Sequence, residues 1–171
     1  MSGRYRQHAF APGRSLLCRW EYVQGTEASP ALVLPDACVD LLWDGERLRI
    51  AGPDTRAQYA RIAPGRRING LRFAPGAATR WLGVPLHVLA DQRVDLRDLG
   101  IPRLATLADR MAERSADATA WLADRILTDT PLRRDAMSVV HARLSRARPE
   151  TVAHLARDPP AAVGPQADGP Q

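Results

Sequence analysis

The chain has 171 residues, enough for one domain with a substantial core, and 45% of them are apolar, as in ordinary globular proteins. The formal net charge is +5 and all 24 basic residues are arginines, but they are scattered, so the charge alone does not predict a nucleic-acid surface. Two cysteines and four widely separated histidines predict neither a disulfide scaffold nor a metal site, and no cofactor is expected. Without an apolar signal core or an apolar run of roughly 20 residues, the chain is expected to be cytoplasmic, with no membrane partner.

The first part of the chain, to about residue 75, predicts short strands separated by turn residues. The predicted strands cover residues 15–23, 31–34, 38–43, 48–50, 59–62 and 68–73. Asp44-Gly45, between the third and the fourth of these, is a strong hairpin signal. Short strands at this spacing predict a small antiparallel barrel or sandwich, and a cupin-like barrel is one form that it could take.

The following part of the chain is predicted to be mainly helical. The predicted helices cover residues 77–82 and 86–90, a segment that starts at Pro102, a segment capped by Asp117, and residues 133–146. Between them, Val94 to Leu99 is expected to be a loop tied back to the core. We therefore expect an α+β fold, in which a β-rich domain over residues 1–100, with short helices, is followed by a helical part over residues 101–147 packed on it.

The composition changes abruptly near Asp158. The sequence of residues 148–158 predicts one more short helix. Beyond them, residues 159–171 have no hydrophobic period and contain four prolines, which forbid a stable helix. This tail is expected to be disordered.

Three stretches of the sequence together resemble one family. They are Leu34-Pro35-Asp36-Ala37-Cys38-Val39-Asp40-Leu41-Leu42-Trp43, then Ala51-Gly52-Pro53-Asp54-Thr55, and then Gly70-Leu71-Arg72-Phe73-Ala74-Pro75-Gly76-Ala77 continuing through Leu82-Gly83-Val84-Pro85 to Asp91, with Val94 to Leu99 after it. In this order and at this spacing they resemble an uncharacterised N-terminal domain of AraC/XylS-type transcription regulators, over roughly residues 4–145. One departure is Ala37, where the family usually has glycine. If φ is positive at that position, alanine is unfavourable there.

The resemblance implies a regulatory, effector-sensing domain with a β-barrel-like fold followed by helices. In the full-length family, two helix-turn-helix units then bind DNA, and residues 148–158 resemble the opening helix of the first unit. The chain is therefore expected to lack most of the DNA-binding domain, through a frameshift or truncation near Asp158 or as a natural short form. The implied partners are a small-molecule effector and a second copy of the chain, with DNA bound only by a full-length form.

The best local constellation is Asp36, Cys38 and Asp40. On an extended strand Cys38 and Asp40 share one face, and an aspartate within an apolar strand needs a partner, for which Arg72 is a candidate. One interpretation is an internal Asp40–Arg72 pair that fixes strand order, with Asp36 closing a turn, and this one is favoured. The other is a ligand pocket, whose candidate residues are Asp36, Cys38, Asp40 and Arg72, with Trp43 or Trp20 as an apolar wall.

No catalytic residue is predicted. A nucleophilic Cys38 would need a base, and only His8 lies in the strand region. Two alternatives to the regulator stay open: a free-standing small-molecule-binding module that acts through a protein partner, and a small barrel enzyme that uses Asp36, Cys38 and Asp40. A cavity walled by these side chains would favour binding or catalysis, whereas a solid core with an Asp40–Arg72 pair would favour a scaffold.

Overall fold

The computed structural model of the chain describes residues 3–26, 30–114 and 117–130. They belong to the first of two compact units, Met1–Arg134, and the second unit, Asp135–Gln171, lies outside the described residues. The same holds for the predicted helix over 133–146, the predicted helix over 148–158 and the tail over 159–171.

Eight short strands form two antiparallel sheets. In chain order they are β1 (Arg4–Ala9), β2 (Leu16–Val23), β3 (Ala31–Val33), β4 (Asp40–Trp43), β5 (Leu48–Ala51), β6 (Gln58–Ala60), β7 (Arg67–Phe73) and β8 (Arg93–Asp95). Six of them form one sheet in the order β1-β2-β7-β4-β5-β8, while β3 and β6 pair separately. The α+β prediction is confirmed. The barrel form of it is not, because the large sheet ends at β1 and β8 without closing, and the arrangement is sandwich-like.

The helices come after β7 in the chain and cover one face of the large sheet. They are α1 (Ala77–Leu82), a 3-10 turn at Leu86–Leu89, a second at Leu96–Leu99, α2 (Pro102–Ala112) and α3 (Ala118–Asp129). Pro102 occupies the first turn of α2, as predicted, because its missing N–H is not needed there. Arg103 donates to the carbonyls of Trp81 and Leu82 and so satisfies the end of α1. None of the helices in the described ranges is long and apolar enough to cross a membrane.

The hydrophobic core lies between this helical layer and the large sheet. Side chains alternate across a strand, so every second residue of β4 and β7 points to the helices. These inward residues join apolar residues of α2 and α3 in one buried cluster. Its fully buried members include Leu41, Leu48, Ile50, Leu71, Leu104, Met111, Leu122 and Ile126. Burying this much apolar surface is the main source of stability for such a unit.

Two strands differ from the sequence prediction. In β1 all six residues are exposed, so no alternation of apolar and polar residues marks it, and it pairs with β2 at the edge of the sheet. In β8, Arg93–Asp95 pairs with β5, although this segment was expected to be a loop. Both are edge strands of the sheet, where partner pairing rather than burial defines the strand.

Candidate functional site

A cavity of about 470 Å³ lies between the large sheet and the small β3–β6 sheet, on the face that the helices do not cover. The large sheet contributes aromatic, apolar and charged side chains, and the small sheet contributes mainly apolar ones. The residues around it include Tyr5, Trp20, Tyr22, Leu32, Val33, Asp36, Cys38, Asp40, Leu42, Asp54, Gln58, Tyr59, Ala60, Ile68, Arg72 and Arg93. Four of the five candidate residues, all except Trp43, therefore meet at one cavity.

The Arg72 guanidinium group organises one end of the cavity. Its Nε donates to Asp40 Oδ1 at 3.0 Å and its Nη2 donates to Asp40 Oδ2 at 2.9 Å. The same Nη2 lies 3.0 Å from Asp36 Oδ2. Arg72 and Asp40 are direct cross-strand partners on β7 and β4, which confirms the predicted pair. The hydrogen bonds and charge of Asp40 raise the pKa of Arg72 despite its burial, so it stays charged.

Asp36 closes a turn and lines the cavity at the same time. Its Oδ1 accepts a hydrogen bond from the Cys38 backbone N–H at 3.0 Å, as in an Asx turn. Ala37 between them has φ of 54°, the left-handed region that favours glycine. The condition named in the sequence analysis, a positive φ at this position, is therefore met, and alanine is unfavourable there.

The Cys38 thiol stays protonated near neutral pH. Burial raises its pKa to about 11, Asp36 and Asp40 add to the increase, and Arg72 opposes it. Since the thiolate is the reactive form, such a cysteine is a poor nucleophile.

A second ion pair, which was not predicted from the sequence, lies at the other end of the cavity. The Arg93 guanidinium binds both oxygens of Asp54, at 2.8 and 2.6 Å. Gln58 Nε2 also donates to Asp54 Oδ1, at 2.7 Å. The partners are 39 positions apart in the chain. The only signal for them was the Gly-Pro-Asp-Thr stretch of the family resemblance, which contains Asp54.

The loop that presents Asp54 is fixed by close packing and by Asp91. A Cβ atom at Gly52 would lie 1.7 Å from the Leu89 carbonyl oxygen, so only glycine fits there. Asp91 accepts hydrogen bonds from the Thr55 backbone N–H at 2.8 Å and from the Thr55 hydroxyl at 2.6 Å. These hydrogen bonds lower the pKa of Asp91. The Asp54 carboxylate is therefore held in place by a rigid turn.

The aromatic wall of the cavity centres on Trp20. Its indole lies flat against β7, because Gly70 is its cross-strand partner and a Cβ atom there would lie 2.0 Å from Trp20 Cε2. The Tyr5 ring is 5.8 Å from the Trp20 ring, centroid to centroid. Trp20 Nε1 is buried, and no residue in the described ranges accepts its proton. A buried donor without a partner is unfavourable unless water or a ligand reaches it.

The prediction that Trp43 could form a wall of the cavity is wrong. It lies in the buried core on the helix side of the sheet and does not line the cavity. The reason is the alternation of β4, which turns Asp40 and Leu42 to the cavity and Leu41 and Trp43 away from it. In the parts of the chain that the structure describes, no group of three histidine, cysteine or acidic residues is arranged to hold a metal ion.

Residues 14–95 of the chain match the model of a family described as a domain of unknown function, DUF6597. A comparison with curated proteins and a comparison with solved structures each gave no match. The matched segment runs from just before β2 to the end of β8, and so includes both ion pairs of the cavity.

Proposed function

We propose that residues 3–130 bind a small-molecule effector in this cavity, as the sensing domain of a transcription regulator of the AraC/XylS type. One observation carries the proposal. The three stretches that resemble that family are far apart in the sequence, yet each supplies a charged group to the same cavity: Asp36 and Asp40 from the first, Asp54 from the second and Arg72 from the third. If these motifs served folding alone, there would be no reason for them to meet around an open space.

The dimensions and chemistry of the cavity support ligand binding. Small-molecule sites typically measure roughly 300–1,000 Å³ and combine apolar and aromatic walls with a few fixed polar groups. Here the walls are mainly aromatic and aliphatic, and the polar groups are held by ion pairs at two ends. A scaffold role for the Asp40–Arg72 pair accounts for the pair but not for the cavity beside it.

Catalysis by Asp36, Cys38 and Asp40 is less well supported. The Cys38 thiol, with a pKa of about 11, is almost fully protonated near neutral pH. Both carboxylates are engaged by Arg72, and none of the described residues around the cavity is a histidine. A histidine that could activate the thiol is therefore not among these residues, and the neighbouring Asp36 carboxylate raises the pKa of Cys38 instead of lowering it.

Ligand binding can be tested with a pair of matched variants. Ala60 lines the cavity and Ala57, three residues earlier, is exposed and does not. In a thermal-shift screen of small polar and aromatic compounds against the full chain, we expect hits whose stabilisation is lost in Ala60→Phe and kept in Ala57→Phe. Hits that both variants retain would bind elsewhere and would contradict the proposed site.

The regulatory part of the proposal needs a transcriptional readout. The whole chain would be fused ahead of the DNA-binding half of a characterised AraC-type regulator with a reporter promoter. A compound that binds the cavity is expected to change reporter transcription in the Ala57→Phe fusion and not in the Ala60→Phe fusion. Unchanged transcription with saturating ligand would favour a binding module that acts through a different kind of partner.

A further inference from the structure

We propose that the ligand of this cavity is an organic cation, a protonated or quaternary amine carried on an apolar body. This inference rests on the proposed function, because it names the ligand class of the same site. It is carried by the balance of charges around the cavity and by the aromatic faces beside them.

The described residues around the cavity carry one surplus negative charge. Three are carboxylates, Asp36, Asp40 and Asp54, and two are guanidinium groups, Arg72 and Arg93. Asp40 and Asp54 are each matched by one arginine through two hydrogen bonds. Asp36 is the surplus carboxylate, because it shares the Nη2 of Arg72 with Asp40. The protein as a whole is basic, so this local excess opposes the overall charge.

The surplus carboxylate lies where a ligand could reach it. The side chain of Asp36 is 46% exposed, whereas that of Asp40 is 12% exposed. A cationic group at this end of the cavity would therefore face an accessible carboxylate without breaking the buried pair behind it. An anion would meet two arginines that are already matched, and its entry would add to the excess of negative charge.

Aromatic rings provide the rest of the site. Tyr5, Trp20, Tyr22 and Tyr59 all line the cavity, and Tyr5 and Trp20 are close and tilted by 34°. The face of an aromatic ring attracts a cation, and the attraction is stronger for tryptophan than for tyrosine. A set of such rings beside a carboxylate is suited to a substituted ammonium group, whose positive charge is spread over apolar surface.

The test compares three soluble probes of similar size and different charge on the full chain: benzyltrimethylammonium, benzyl alcohol and benzoate. Binding is followed through the Trp20 indole N–H signal in two-dimensional NMR spectra, assigned by its loss in Trp20→Phe. We expect benzyltrimethylammonium to bind about tenfold more tightly than benzyl alcohol, and benzoate to bind more weakly than either.

Two variants examine the charge. Asp36→Asn keeps the side-chain oxygen that accepts from Cys38 and removes the surplus charge, so the affinity for the cation should fall about fivefold while that for benzyl alcohol is unchanged. Asp124→Asn removes an exposed carboxylate from α3, outside the cavity, and should change neither affinity.

Preferential binding of benzyl alcohol or benzoate would overturn the inference and leave the proposed function standing. An equal loss of cation affinity in Asp36→Asn and Asp124→Asn would also overturn it, because the attraction would then be nonspecific. If no probe moves the Trp20 signal, the cation inference fails, and the screen with Ala60→Phe and Ala57→Phe decides separately whether the cavity binds any small molecule.

Discussion

Strands β4 and β7 turn Leu41 and Leu71 to the helices, and Asp40 and Arg72 to the cavity. On the first face the side chains are fully buried against other apolar side chains, so the face contributes mainly through area removed from water. On the second face charged groups satisfy one another and an open space remains. Adjacent residues of one strand thus face two different surroundings, a packed core and an open cavity, and we propose that the second serves recognition.

This difference is the reason for placing the proposed binding site on the cavity face. A well-packed face tolerates few changes, because each lost methylene leaves a void. The cavity face is ordered instead by a small number of hydrogen-bonded ion pairs, and the rest of it is accessible. Substitutions on the two faces should therefore separate stability from binding.

The largest effect is expected from Leu41→Ala on the packed face. Leu41 is 1% exposed, and its truncation should lower the free energy of unfolding by about 3 kcal/mol, measured by urea denaturation. Leu42→Ala, one residue along and facing the cavity, is the matched control and should cost about 1 kcal/mol or less. Equal losses in the two variants would contradict the distinction between the faces.

A smaller loss is expected from Arg72→Met on the cavity face. It leaves the buried Asp40 carboxylate without its partner, and because the arginine side chain is 26% exposed we expect a loss of about 2 kcal/mol. Adding Asp40→Asn to this variant should restore about 1 kcal/mol, since the unpaired charge is then gone. Strict additivity of the two substitutions in a double-mutant cycle would show that the pair is not coupled.

The next effect depends on pH and on Cys38. Its pKa is about 11 in the folded chain against 9.0 for an ordinary thiol, so the unfolded chain loses this proton first as pH rises. The contribution of the protonated thiol to the free energy of unfolding is complete below pH 9 and falls as pH rises toward 11. It amounts to roughly 1 kcal/mol after allowance for solvent screening of a half-buried group. Urea denaturation of the wild type and Cys38→Ser at several pH values should show a steeper alkaline decline for the wild type. Parallel curves would contradict the raised pKa.

The smallest expected effect is a gain. Ala37 has φ of 54°, and glycine adopts this conformation without strain, so Ala37→Gly should raise the free energy of unfolding by about 0.5–1 kcal/mol. Ala57→Gly, at an exposed position without a positive φ, should instead lower it slightly. A loss of stability in Ala37→Gly would mean that the strain at this turn is compensated elsewhere.

Much of the fold could be predicted, because burial leaves a pattern in the sequence. The strands β2, β4, β5 and β7 and the helix α1 contain many of the apolar residues of the core, and their predicted bounds agree with the structure to within about two residues. The edge strands β1 and β8 escaped prediction because few of their side chains are buried. Whether the sheet closes into a barrel depends on the pairing of such edges, which local patterns do not determine.

Residues of the site were predicted only where they are close together in the sequence or where a charged residue in an apolar strand would be unfavourable without a partner. An aspartate within an apolar strand requires a partner, and this led to Asp40 and Arg72. Asp54 and Arg93 carry no such local signal, because one lies in a turn and the other on an edge strand. The Trp43 assignment conflicted with the strand alternation, which already placed this residue opposite Asp40.

The most direct measurement is an NMR map of where a small molecule binds to the full chain. The four tryptophans lie on different parts of the described structure, with Trp20 at the cavity and Trp43 and Trp81 in the packed core. A bound compound is predicted to shift the Trp20 indole signal strongly and to leave those of Trp43 and Trp81 nearly unchanged. Shifts confined to the core tryptophans, or binding that leaves Trp20 unaffected, would contradict a ligand site on this face of the sheet.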